Sequence, residues 1–184
     1  MTDQLHEAKR PVSASLAGPY GHPFHPILVT VPIGAWVASL VFDIASHVVA
    51  EPAFLSQGST WLIGVGVVGA LAAAMVGFLD LLTIARGTKA FRTAITHMSL
   101  NLLVTTAYVV NFVWRDPSAG AGADASSGVG AGPLALSVVS LAALGASGYL
   151  GGKLAYRYGV RVADETTQAE GFAGTTAEQP ADRH

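Results

Sequence analysis

Two histidines, each followed by proline, open the first long apolar run of this chain, in the stretch GPYGHPFHPILVTVPIGAW, residues 18–36. Imidazole ligates metals and haem iron and titrates near neutral pH, so its place at the mouth of an apolar segment raises a chemical question. Three more polar side chains, Asp80, His97 and Asn101, fall within later apolar runs. An ionisable group inside a membrane span costs roughly 3 kcal/mol unless it is paired or lines a cavity, so Asp80 and His97 need partners. Each other is the cheapest partner. His25, His97 and His22 are the candidate cofactor-binding residues. In one arrangement His25 and His97 are the axial ligands of a haem b; in the alternative His22, His25, Asp80 and His97 hold a metal ion. Asn101, Tyr156 and Arg157, with Lys153, complete the polar cluster. A purely structural role competes with both, in which Asp80, His97 and Asn101 fix the packing of one helix on another.

These side chains need helices that cross a bilayer to bring them together. Hydrophobic residues make up 51% of the 184 and charged residues only 12%, well below a soluble domain, and the mean hydropathy is +0.47. Four runs, 27–50, 61–85, 94–114 and 133–155, approach or exceed the roughly 20 residues that a span needs. The predicted fold is therefore all-α, an integral membrane bundle of four transmembrane helices with disordered termini. Val48 and Ala50 fit a signal-peptide cleavage pattern. The first run is too long for a signal core and carries Asp43 and His47, so it reads as a retained helix.

Four spans place both termini and the 86–93 connection on one side. That side holds Lys9, Arg10, Arg86, Lys89, Arg92, Lys153, Arg157 and Arg161 near the membrane, and the other holds Arg115. The asymmetry predicts a multi-pass cell-membrane protein with cytoplasmic N- and C-termini. Trp61, Trp114 and Tyr20 fall near span ends, as interfacial aromatics do.

Helical rise then sets the depths. Pro26 suits the first helical turn with His25 at its cap, and His22 lies at the surface. Asp80 lies six residues before Arg86, His97 one turn into the third span, and GGKLAYRYG, residues 151–159, ends the fourth at the same side. A second set, Asp43 and His47 with Asn111, falls near the opposite side. Gly66, Ala70, Ala73 and Gly77 in the second span, and Gly145, Gly148 and Gly152 in the fourth, predict close helix packing.

The organisation expected is a disordered tail over 1–19, a transmembrane domain over 20–162 and a disordered acidic tail over 163–184, with 115–132 as a flexible external linker. No binding function is expected in the tails or the linker. Absence of cysteine excludes thiolate metal sites and cysteine-ligated iron–sulfur clusters. A net charge of −2 argues against nucleic acid as a partner. Ser99 lies near His97, but no G-x-S-x-G or H-E-x-x-H motif accompanies them, so no enzyme is predicted.

The blocks GHPFHPILVTVPIGAWVASLVFD, GFLDLLTIARGTKA, HMSLN and GYLGGKLAYRYGVRV resemble an uncharacterised bacterial membrane family, domain of unknown function 2231, over roughly residues 20–162. The resemblance implies four membrane helices. Family members look similar to membrane segments that precede Rieske-type domains in longer chains, which implies electron transfer with a redox or Rieske-type protein partner. This chain has no cysteine and only a short acidic tail after GVRV, so such a domain would be a separate protein. Three functions stay open: a haem- or metal-binding component of membrane electron transfer, an accessory subunit engaging a protein or anionic lipid, and a proton or ion pathway that requires a homo-oligomer.

Overall fold

The computed structural model describes residues 2–115 and 128–172. Among them the helices are α1 (Thr2–Lys9), α2 (Ala14–Ala17), α3 (His25–Leu28), α4 (Thr30–Ala45), α5 (Ala53–Leu81), α6 (Lys89–Trp114), α7 (Ala131–Gly152) and α8 (Glu165–Glu170). A π-helical turn, Lys153–Arg157, continues α7. Four segments are long and apolar enough to cross a membrane: His25–Ala45, Ala53–Leu81, Lys89–Trp114 and Ala131–Arg157. The second span begins eight residues before the apolar run that marks it. Hydropathy registers only the lipid-facing core of a helix, whereas Pro52 supplies a start just outside α5 and the polar residues 56–60 continue it.

The first span packs most closely on the second and the third on the fourth, and the second meets the third and the first meets the fourth. The first and third spans therefore face each other across the diagonal of the bundle. The first span is also broken at Val29, between α3 and α4. Pro32 removes the N–H that would have bonded the carbonyl of Leu28 and crowds it, which interrupts the helix there.

At mid-bundle Trp36 stacks on Tyr108, ring centroids 4.1 Å apart and planes 9° from parallel. Ile63 and Val104 complete this buried cluster. The Trp36 indole donates to the Ile63 carbonyl at 3.3 Å. The approach requires glycine at position 66, where a Cβ would lie 2.2 Å from the indole nitrogen. The expected small-residue stripe of the second span thus does pack against the first. The stripe of the fourth does not: Cβ atoms at Gly145 and Gly148 would meet nothing within 4 Å. Ser137, Ser140 and Ser147 turn inward instead, because a hydroxyl can satisfy polar neighbours in the interior and glycine cannot.

The segment expected to be a disordered N-terminal tail forms α1 and α2 and folds back against the chain that leaves the fourth span. The Arg161 N–H donates to the Ala8 carbonyl at 2.9 Å, and the Phe24 N–H to that of Ala17 at 3.1 Å. Backbone groups paired in this way hold a polar segment that has no apolar periodicity. In the acidic tail, Asp164 caps α8 by accepting from Thr167 N–H at 2.8 Å. Most of the predicted linker (116–127) and the end of the tail (173–184) lie outside the described residues.

Candidate functional site: a histidine pair and two ion-paired centres

Thr88 starts α6 by accepting from Phe91 N–H at 3.1 Å, which sets His97 and Asn101 two and three turns in. His25 occupies the first turn of α3, beside Pro26. The two imidazoles meet across the bundle diagonal, with ring centroids 6.4 Å apart and planes at 86°. The Nδ1 of His25 lies 2.9 Å from the Ala73 carbonyl, and that of His97 2.8 Å from the Ser147 carbonyl. A carbonyl only accepts, so both Nδ1 atoms carry the proton, and in the neutral rings both Nε2 atoms are bases. Asn101 lies beside His97, its amide nitrogen 3.1 Å from His97 Nε2 and 3.0 Å from the His97 carbonyl. Glycine makes room for both rings. A Cβ on Gly77 would lie 2.9 Å from His25 Cε1, and one on Gly151 3.1 Å from His97 Cε1.

The rest of the expected cluster does not assemble. Asp80 does not pair with His97; it faces Arg161, whose Nε lies 2.8 Å from Oδ1. A permanently charged guanidinium is the stronger partner for a carboxylate than a neutral imidazole. His22 is exposed, held in a turn by its N–H bond to the Pro19 carbonyl at 3.0 Å. Tyr156 is 93% exposed, since Leu154 takes the inward position of the π-helical turn and leaves Tyr156 and Arg157 outside. With His22 outside and Asp80 taken, the four-ligand metal set is not formed. No group of three or more metal-ligating residues occurs among the described residues.

Arg161 is a residue the sequence reading counted only as a juxtamembrane charge. Its backbone is left-handed, at φ 59°. From there one side chain serves three segments: Nε faces Asp80 at the end of α5, and Nη2 donates to the carbonyls of Ala17 and Gly18 at 2.9 Å each. Nη1 reaches that of Lys9 at 3.4 Å. The contact with Asp80 is close without being aligned as a hydrogen bond. Beside it, Tyr20 donates to Asp164 at 2.9 Å. The Thr167 N–H, and then the Tyr20 hydroxyl, hold the Asp164 carboxyl below the usual aspartate range.

On the opposite side of the bundle, Asp43 pairs with Arg115 and not with His47. The fork is bidentate, Nη1 to Oδ1 at 2.7 Å and Nη2 to Oδ2 at 2.6 Å. Arg115 Nε donates to Asn111 Oδ1 at 2.7 Å, and Nη1 also to Ser59 at 3.0 Å. Ser59 donates to Asp43 at 2.5 Å, and Asn111 to Ser137 at 2.9 Å. Residues from all four spans, with Arg115 at the end of the third, thus enter a single buried network. Asn111 was expected at this depth. Arg115 was not, because it stands just past the third apolar run and read as a linker charge; Asp43 in a span without a counter-ion was the signal that could have found it.

A four-helix membrane bundle with a polar centre at each end defines the class of this protein. Its sequence places it more closely: the chain belongs to the family described as predicted membrane protein (DUF2231), whose model matches residues 21–164. No curated protein and no solved structure matches the chain.

Proposed function

We propose that this membrane protein is a haem-binding component of electron transfer, with His25 and His97 as the ligand pair. The observation that carries the reading is the facing of two imidazoles on diagonal helices, each with Nδ1 committed to a carbonyl and Nε2 left as a base. Two metal–imidazole bonds of about 2 Å, with the half-widths of two five-membered rings, come to about 6 Å. The centroid separation is 6.4 Å. Gly77 and Gly151 leave the room that the two rings themselves fill. Asn101 opposes the reading, since it must release His97 Nε2 before that atom can bind iron. Bound haem would supply one-electron chemistry, and a Rieske-type protein is the partner class for it.

An absorption spectrum tests this. Protein expressed with ample haem is expected to show a Soret band that His25→Ala and His97→Ala each abolish and that His22→Ala leaves in place. A colourless wild-type protein would overturn it. In that case the accessory-subunit reading follows, which the complete hydrogen bonding of Arg115 supports, since a fully satisfied buried network suits a static scaffold. A proton or ion pathway draws less support, because Trp36 and Tyr108 fill the bundle between its two polar ends.

The same proposal orients the face with both termini toward the cytoplasm, on the asymmetry of Lys and Arg. Reporters fused after Arg161 and within 86–92 are expected on the cytoplasmic side, and one within 118–130 outside. A cytoplasmic signal from the last would reverse the orientation.

A further inference from the structure

On the face that carries α1 and α8, the helix α1 and the segments before α3 and α8 line a half-open cavity of about 480 Å³ that includes His6, Lys9, Arg10, Tyr20 and Asp164. Lys9 is only 5% exposed. Its ammonium donates to a single carbonyl, that of Ala163, at a long 3.3 Å. The ion pairs among the described residues are Asp43–Arg115 and Asp80–Arg161, so no carboxylate of those residues pairs with it. A lysine buried to this extent ordinarily has a charged partner, and an ammonium has three donors to satisfy.

Two simpler explanations of this basic cluster fail. Lysine and arginine at a helix C-terminus can serve its free carbonyls, but here Arg161 already serves those of Ala8 and Lys9. Asp164 is a charged carboxylate in the same cavity and acts on Lys9 from beyond ion-pair distance, but it offsets only one of the two cations there. What remains is a cavity with a buried, underused ammonium, an exposed guanidinium at Arg10 and an imidazole at His6, against one carboxylate.

We propose that this cavity binds a phosphate-type oxyanion, held by Lys9 and Arg10. Lysine supplies a compact point charge and arginine a planar fork, the pair of donors that a tetrahedral phosphoryl group accepts from. The source is inorganic phosphate or the headgroup of an anionic phospholipid, since the cavity lies on an end face of the membrane bundle.

Phosphorus NMR of the full-length protein in phosphate-free detergent buffer separates these sources. One arm titrates inorganic phosphate; the other compares nanodiscs of phosphatidylglycerol with nanodiscs of phosphatidylcholine. Saturable binding is expected in at least one arm, weakened about tenfold in Lys9→Met and in Arg10→Gln and unchanged in Arg92→Gln, an exposed charge elsewhere on the same face. Response to inorganic phosphate assigns a soluble anion, and response only to phosphatidylglycerol assigns a lipid headgroup. Absence of saturable binding in both arms overturns the proposal, as does equal weakening by Arg10→Gln and Arg92→Gln, which would mean diffuse surface charge. Arg10 is exposed, so its variant decides the matter even where Lys9→Met fails to fold.

Discussion

The two ion-paired centres at opposite ends of the bundle use the same chemistry for different purposes. Asp43–Arg115 joins spans to spans: a carboxylate on the first, a hydroxyl on the second, a guanidinium and an amide on the third and a hydroxyl on the fourth, each within hydrogen-bonding distance of another. Asp80–Arg161 joins a span to what lies outside it. Its arginine follows the last span, sits in left-handed backbone and gives its other donors to carbonyls of the N-terminal segment. The first centre is a lock within the membrane, and the second is a tether across its surface. Burial of charge in this protein is thus tied to connectivity, with arginine placed wherever several segments must be held by one side chain.

The largest expected effect comes from breaking the lock. Arg115→Ala leaves Asp43 buried and uncompensated, and thermal unfolding in detergent should show a loss of about 3–5 kcal/mol. Asp43→Leu with Arg115→Leu removes both charges and should recover much of it. Equal stability of wild type and Arg115→Ala would mean that water or another group solvates Asp43 and that the lock is not one.

Arg161→Gln should cost less, about 2 kcal/mol, since its partner Asp80 lies nearer the surface. Its distinguishing effect is local. Because the chain has no cysteine, a single Ala17→Cys reports on α2 from its one fully buried position. Thiol labelling should accelerate in the Arg161→Gln background and stay at the wild-type rate with Arg115→Ala. Acceleration by both would erase the difference between tether and lock.

The smallest effect concerns Asp164 at the edge of the tether. Its folded carboxyl is held below the ordinary aspartate range by Thr167 N–H and the Tyr20 hydroxyl. The contribution of these contacts is therefore complete above the unfolded pKa and lost as pH falls through the lower, folded one. Protection of the Thr167 amide from hydrogen exchange, corrected for the intrinsic rate, should fall over that acidic window in wild type. Asp164→Asn should show no such dependence, and a flat wild-type profile would leave the cap without electrostatic content.

How far these features were legible depended on whether a residue's partner was near in sequence. The four spans and the depth of Asn111 followed from apolar run lengths and helical rise. His97 and Asn101, four residues apart on one helix, lie in contact as helical spacing dictates. Asp43 and Asp80 were legible as charges in need of partners. Their partners were not, because Arg115 and Arg161 lie 72 and 81 residues away, just beyond apolar runs where arginine is ordinarily a topology signal. The N-terminal helices were hidden for a related reason: carbonyls of Ala8, Lys9, Ala17 and Gly18 hold that segment to Arg161, and backbone groups leave no mark on hydropathy.

The lock also sets a schedule for the newborn chain. Spans enter the bilayer in order of synthesis, and the tightest packing joins the first to the second and the third to the fourth, so the protein is laid down as two hairpins. Asp43 arrives with the first hairpin, with Ser59 at hand but no cation. Arg115 is made 72 residues later and Ser137 a further 22 residues on. Until the second hairpin docks, the first carries a carboxylate with a single hydroxyl beside it and no cation. Completion of the fold and pairing of that charge are then the same event.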